Sequence, residues 1–191
     1  MEPTNSKEKI LSAAAKLFRK KGYHATSLSQ ITKESSAPRG SIYYYFPDGK
    51  QQLAKEAIQK TGERVKAYIE KSLASHEDAA SAIQYHIKLM ADRMFEQVEN
   101  EADISLAAMS SEVWSSNETL RMACEAVYNE WEQVYADKLV CSGYEQEEAR
   151  QLGSAIQSWI EGAYTLSLTK SSTVPMQIAA DQIGKLFANK N

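Results

Sequence analysis

The sequence predicts an all-α protein of about nine helices, with a three-helix head over residues 1–50 and a helical body over residues 51–191. Three observations carry this reading. Apolar residues recur at helical spacing from Ile10 to Phe187, and no segment alternates with the two-residue period of a strand. Only four prolines and eight glycines punctuate 191 residues of 43% hydrophobic content, the balance of an ordinary folded chain. Charge is also divided along the chain. Residues 1–50 hold nine Lys/Arg against four Asp/Glu, a balance of +5, while residues 51–191 hold thirteen against twenty-one, a balance of −8. A basic head on an acidic body suits a polyanion partner, because counterion release favours the head while the body is repelled.

The helices follow in order. Asn5 and Glu8 have capping-box spacing, and Ile10, Leu11, Ala14, Leu17 and Phe18 form one apolar stripe. Arg19-Lys20-Lys21-Gly22 closes that helix, with cations in the last turn and glycine at the left-handed cap. Tyr23 reads as a core anchor. Thr26 can cap the second helix, in which Leu28 and Ile31 lie one turn apart. Ser36-Ala37 breaks the pattern, and Pro38 suits the first position of a third helix whose inner residues are Ile42 and Phe46. Asp48, with Gln51 three residues on, can cap a long fourth helix over about 50–74, in which Gly62 offers a point to bend.

From about Asp78 the pattern stays helical. One helix carries Ile83, Ile87, Met90, Met94 and Val98; the polar link Glu99-Asn100-Glu101 leads to a short one over about Ile104 to Ser111. Ser115 and Glu118 open a longer helix that stops at Gly143. Glu147 to Ser167 and a last helix from Pro175 complete the body.

The break at residues 36–38 makes a helix-turn-helix, and its second helix leaves Arg39, Tyr43, Tyr44 and Tyr45 facing outward. Phenols and hydroxyls can bond phosphate oxygens, Arg39 can reach a guanine edge or a phosphate, and Gly40 permits close backbone approach. The alternative for the same spacing is a helical hairpin with surface tyrosines. Lys50, in the first turn of the fourth helix, opposes the helix dipole; a nearby phosphate or plain surface tolerance accounts for it equally well.

Other chemistries have little support. His24, His76 and His86 are the only histidines, and none has a second ligand at metal spacing. No glycine-rich phosphate loop, GxSxG or HExxH occurs, so neither an enzyme nor a cofactor or metal site is expected. No run of 18 apolar residues suggests a membrane span, and the N-terminus lacks the apolar core of a signal peptide. Cys124 and Cys141 read as reduced thiols of a cytoplasmic protein. A helical protein-interaction module without DNA binding is the competing function.

The stretch ILSAAAKLFRKKGYHATSLSQITKESSAPRGSIYYYF, followed by GKQQL, resembles the DNA-binding domain of TetR-type bacterial transcriptional repressors. Two departures stand out: Ser36 where glycine is frequent, which is tolerable near a helical conformation, and a linker PDGK one residue longer than usual. That linker, with WIEGAYTLSLT near the end, is similar to a subgroup that represses multidrug-efflux and lincomycin-resistance operons and includes flavonoid-responsive members.

The resemblance implies a homodimer that binds a double-stranded DNA operator and is released by a small-molecule effector. It implies that Thr26 and Ser27 bond phosphate, that Arg39, Gly40 and Tyr44 touch base edges, that Ser41, Tyr43 and Tyr45 bond phosphate, and that Lys50 anchors the other phosphate flank. Dimerisation through the last two helices would use Gly153, Ile156, Trp159, Ile160, Ala163, Ile183 and Phe187. The small residues Gly153, Ala155, Gly162 and Ala163 allow close helix approach, or equally internal packing. Met90, Met94, Phe95, Met109, Trp114, Tyr128, Trp131 and Tyr164 offer soft, aromatic surface for a planar apolar effector, or serve as plain core.

Overall fold

Side-chain caps at Ser27, Asp78, Ser105 and Asn117 open four of the helices in the computed structural model, which describes residues 3–96 and 105–188, with side chains other than those of 3–5, 39 and 188. Among these residues there are nine α-helices and no strand: α1 Pro3–Lys21, α2 Leu28–Ser35, α3 Arg39–Tyr45, α4 Gly49–Leu73, α5 Ala79–Arg93, α6 Leu106–Val113, α7 Glu118–Cys141, α8 Gln146–Lys170 and α9 Val174–Ala188. The expected all-α fold is the observed one.

The chain forms two compact units. The first comprises residues 1–63 and 98–127, the second residues 64–97 and 128–191. In the first, Ile10, Ala14, Leu17 and Phe18 of α1 are buried with Ile31 of α2 and Ile42 and Phe46 of the α3 region. These inward stripes are what three short helices need to hold one another rigid. In the second, α5 packs on α9 and α9 on α8, around Ile83, Ile87, Ile156, Ile160, Met176 and Ile183.

Several boundaries differ from expectation. Helix α1 begins at Pro3, so Asn5 lies inside it rather than at its cap. The cap of α2 is Ser27, not Thr26: its hydroxyl accepts from the Gln30 amide while the Gln30 side chain accepts from the Ser27 amide, a complete capping box. Helix α3 begins at Arg39 with Pro38 at the cap, one residue later than expected. At α4 the Asp48 amide donates to Gln52 at 3.2 Å, not to Gln51. Asn117, not Ser115, caps α7, accepting from the Leu120 amide at 3.1 Å. Helix α5 ends at Arg93; Val98, the link at 99–101 and Ile104 lie outside the described residues.

Glycine placement also corrects one reading. A Cβ at Gly62 would sit 2.6 Å from Val127 Cγ2, so this glycine lets α4 approach α7 closely rather than providing a bend. Ser36 has φ 53°, in the left-handed region, so it stands outside the right-handed helical conformation that would have made serine comfortable there.

Candidate nucleic-acid interface

Helix α3 is seven residues long, and its faces divide sharply. Ile42 and Phe46 are completely enclosed, while Tyr44 is 79% and Tyr43 54% exposed. Tyr45 is half-buried with its ring edge-on to Tyr44 at 4.9 Å, and Ser41 is half-buried beside them. Gly40 is exposed, and a Cβ there would meet nothing of the protein within 4 Å. No internal contact therefore requires glycine at this position. The backbone of Arg39 opens the helix; its side chain lies outside what the structure describes. The outer surface of α3 is thus a run of phenols and hydroxyls around a bare stretch of backbone.

Beside it, Ser27 is exposed at the N-terminus of α2, although its hydroxyl already accepts the Gln30 amide. Thr26 is different. It is only 2% exposed and its hydroxyl donates to the Gly22 carbonyl at 2.7 Å, so its expected place on the phosphate-facing surface is corrected to the interior of the turn. Lys50 is corrected likewise. Its ammonium donates to the carbonyls of Tyr23 (2.8 Å), Thr26 (2.9 Å) and His24 (3.4 Å), which occupies all three of its N–H groups, and it lies 4.3 Å from the centre of the Tyr23 ring. Partial burial lowers its pKa from the ordinary lysine value, and the nearby Glu112 carboxylate opposes that shift. The apparent conflict with the α4 dipole is resolved by these carbonyls, without a phosphate.

Around this surface the head keeps exposed cations at Lys9, Arg19, Lys20, Lys21 and Lys33. Others are bridged: Lys16 to Glu34 at 2.5 Å, whose hydrogen bond and charge pull the Glu34 carboxyl below its ordinary pKa, and Lys7 to Glu56 at 3.0 Å.

The expected effector residues do not gather in one unit. Met109 and Trp114 belong to the first, where Met109 is buried and Trp114 is exposed at the end of α6; Met90, Met94, Phe95, Tyr128, Trp131 and Tyr164 belong to the second. There Trp131 is buried with its ring edge-on to Tyr128 at 5.5 Å, and Phe95 is exposed. Reading for soft aromatic surface missed the polar interior beside them. His86 is 1% exposed, with Nδ1 2.6 Å from Ser72 Oγ and Nε2 3.1 Å from the Tyr135 hydroxyl. Ser72 also donates to the Ile69 carbonyl at 2.9 Å, which makes Nδ1 the donor to Ser72 and Nε2 the acceptor from Tyr135. Burial lowers the His86 pKa to about 4. Glu161, hydrogen-bonded by Tyr128 and Gln157, is raised above its ordinary value by burial. Ser72, His86 and Tyr135 come from three different helices, α4, α5 and α7, so no spacing in the sequence announces this row, and each polar residue sits where an apolar one would also fit.

Most of the expected dimer residues face inward. Gly153, Ile156, Ile160, Ala163 and Ile183 are buried within the single chain, and a Cβ at Gly153 would lie 2.5 Å from the Glu132 carbonyl. Their correction is therefore to internal packing of α8 against α7 and α9. Phe187 is half-buried, with its ring 6.1 Å from that of Tyr144. Trp159 is 39% exposed, and it lies on an outward stripe with Ala155, Gly162 and Leu166; Ile178 and Leu186 of α9 are exposed too.

The family described as bacterial regulatory proteins, tetR family, matches residues 10–57, and that described as transcriptional regulator LmrA/YxaF-like, C-terminal domain, matches residues 79–182. The chain is 44% identical to the HTH-type transcriptional regulator YxaF of Bacillus subtilis over 97% of both chains. It is 38% identical to the HTH-type transcriptional regulator LmrA of the same organism, over 90% of this chain and 91% of that one. A TetR transcriptional regulator from Chloroflexus aurantiacus superposes with a TM-score of 0.80 at 23% identity, covering 96% of this chain and 94% of that one. Reduced NemR of E. coli likewise gives 0.80 at 18% identity, covering 93% and 94%. These two structures share the fold.

Proposed function

Because the chain belongs to the TetR family of transcriptional regulators, with an LmrA/YxaF-like C-terminal domain, and is a regulator rather than an enzyme, we propose that it is a ligand-released repressor that binds a palindromic operator as a homodimer. Residues 1–50 serve as the DNA-binding part and residues 51–191 as the effector-binding and dimerisation part, with α4 as connector. The observation that carries the reading is the outer face of α3, where exposed Tyr43 and Tyr44 flank a glycine that the protein's own packing does not require. In this reading Gly40 and Tyr44 meet base edges, with Arg39 beside them, and Ser27, Ser41, Tyr43 and Tyr45 meet phosphates. Two heads about 34–36 Å apart would enter successive major grooves.

Release requires an effector that binds the non-DNA conformation better than the DNA-bound one. Tyr128, Trp131, Tyr164, Met90 and Met94 favour a planar apolar molecule, of which a flavonoid is the type to try first. The test begins with footprinting of the DNA upstream of the protein's own gene. A protected palindrome, with affinity falling steeply as salt rises, supports the reading. In the same assay Arg39→Ala is expected to weaken binding and relax preference at one base position, and Tyr43→Phe to weaken it uniformly. Binding indifferent to salt would favour a protein-interaction module. A footprint unchanged by a panel of planar aromatics would remove the effector class.

A further inference from the structure

The loop between α1 and α2, residues 22–27, delivers Ser27 to the start of α2, and it is held from two directions within the first unit. From one side Lys50 of α4 binds the carbonyls of residues 23, 24 and 26. From the other comes the C-terminal end of α6. The Glu112 carboxylate accepts the His24 amide at 3.0 Å, the Glu112 carbonyl lies 3.1 Å from His24 Nε2, and Ser116 Oγ lies 3.3 Å from the same nitrogen. Asn117 hydrogen-bonds the Tyr23 phenol, whose pKa burial raises.

Gly22 completes the arrangement. Its φ of 83° suits a left-handed cap, but its missing Cβ has a second use: a Cβ would overlap the Glu112 carboxylate. Glu112 is thus seated in space that glycine leaves open, against an amide that no helix satisfies. It is an acid on a unit whose outer surface is proposed to face a polyanion, so long-range charge alone would disfavour it.

We infer that Glu112 is a positioning residue for DNA binding: through His24 and the space over Gly22 it fixes the α1–α2 loop, and with it the start of α2, without touching DNA. This rests on the DNA-binding reading above and adds α6 to the elements that set the head's geometry. Any event that moves the end of α6 would then loosen the loop, independently of α4.

The sign of one substitution tests it. If Glu112 acted only through its charge, Glu112→Ala would tighten operator binding. As a positioning residue, its loss is expected to weaken binding about tenfold, the scale of a lost hydrogen bond to a charged group. Glu112→Gln keeps an acceptor for the His24 amide and is expected to recover most of that loss. The slope of affinity against salt stays at the wild-type value for both variants, because no phosphate contact is removed. Amide exchange at His24 is expected to quicken in Glu112→Ala while Ile42 and Phe46 keep their protection, which separates a freed loop from an unfolded head. Affinity equal to or above wild type in Glu112→Ala, or His24 exchange unchanged, overturns the inference. A wild-type protein that shows no salt-dependent DNA binding defeats the underlying reading instead, and the inference with it.

Discussion

At the scale of single residues, Gly40 separates folding from recognition most cleanly. A methyl group there meets no protein atom and φ is not left-handed, so Gly40→Ala is expected to leave the thermal midpoint unchanged or raise it, alanine gaining up to about 1 kcal/mol in a helix. The same methyl projects where a groove wall is proposed to lie, so operator affinity in a gel shift should fall. His86 gives a second residue-scale prediction. It is buried neutral with a pKa of about 4, against 6.5 in an unfolded chain. As pH drops through 6.5 the unfolded chain takes up a proton that the folded chain refuses. The stability present above 6.5 is therefore lost progressively down to about 4, by at most about 3 kcal/mol. Denaturant midpoints across this range should fall for the wild type and fall less for His86→Gln. The outward placement of Tyr43 and Tyr44 was legible in sequence, because the inner positions Ile42 and Phe46 fix the opposite face of α3. Lys50 and Thr26 were not, because what occupies them is a set of backbone carbonyls that no side-chain pattern announces.

At the scale of helices, the periodic stripes placed most of the nine described helices within a few residues of their observed ends, since an apolar face of several turns outweighs local ambiguity. Helix α5 is the exception, stopping at Arg93 where the expected stripe runs on to Val98. The caps were harder. Ser27 rather than Thr26, and Asn117 rather than Ser115, differ from the expected residues by one or two positions, and which hydroxyl or amide points along the helix depends on the preceding turn. The face of α8 was misread for a related reason. Small residues permit close approach, but the sequence does not say to what, and Gly153 opens toward α7 of its own chain. Gly153→Ala is accordingly expected to force α8 off the Glu132 carbonyl and to destabilise the protein by about 1–3 kcal/mol, the ordinary range for overpacking, despite alanine's better helix propensity. Urea unfolding checks it. A midpoint at or above wild type would show that α7 and α8 can separate to admit the methyl group without cost.

For the whole molecule, the proposed dimer shifts from the inward face of α8 to its outward one. Ala155, Trp159, Gly162 and Leu166 lie at i, i+4, i+7 and i+11, a single stripe, and exposed Ile178 and Leu186 on α9 add apolar area. Leu166 is half exposed in the single chain, so Leu166→Lys costs the monomer little, whereas a lysine brought against an apolar partner surface would be buried without a counter-charge. Sedimentation velocity is expected to show the wild type as a dimer and the variant displaced toward monomer at micromolar concentration. The consequence for DNA is larger than any one contact. A dimer presents its second head at an effective concentration that a free monomer cannot reach, and linkage of this kind is worth about 10²–10⁴ in affinity. Leu166→Lys should therefore lose operator binding by about that factor while every groove-facing residue stays in place. A variant that remains dimeric would send the interface elsewhere; one that is monomeric yet binds the operator as tightly as wild type would show that each head reads its half-site alone.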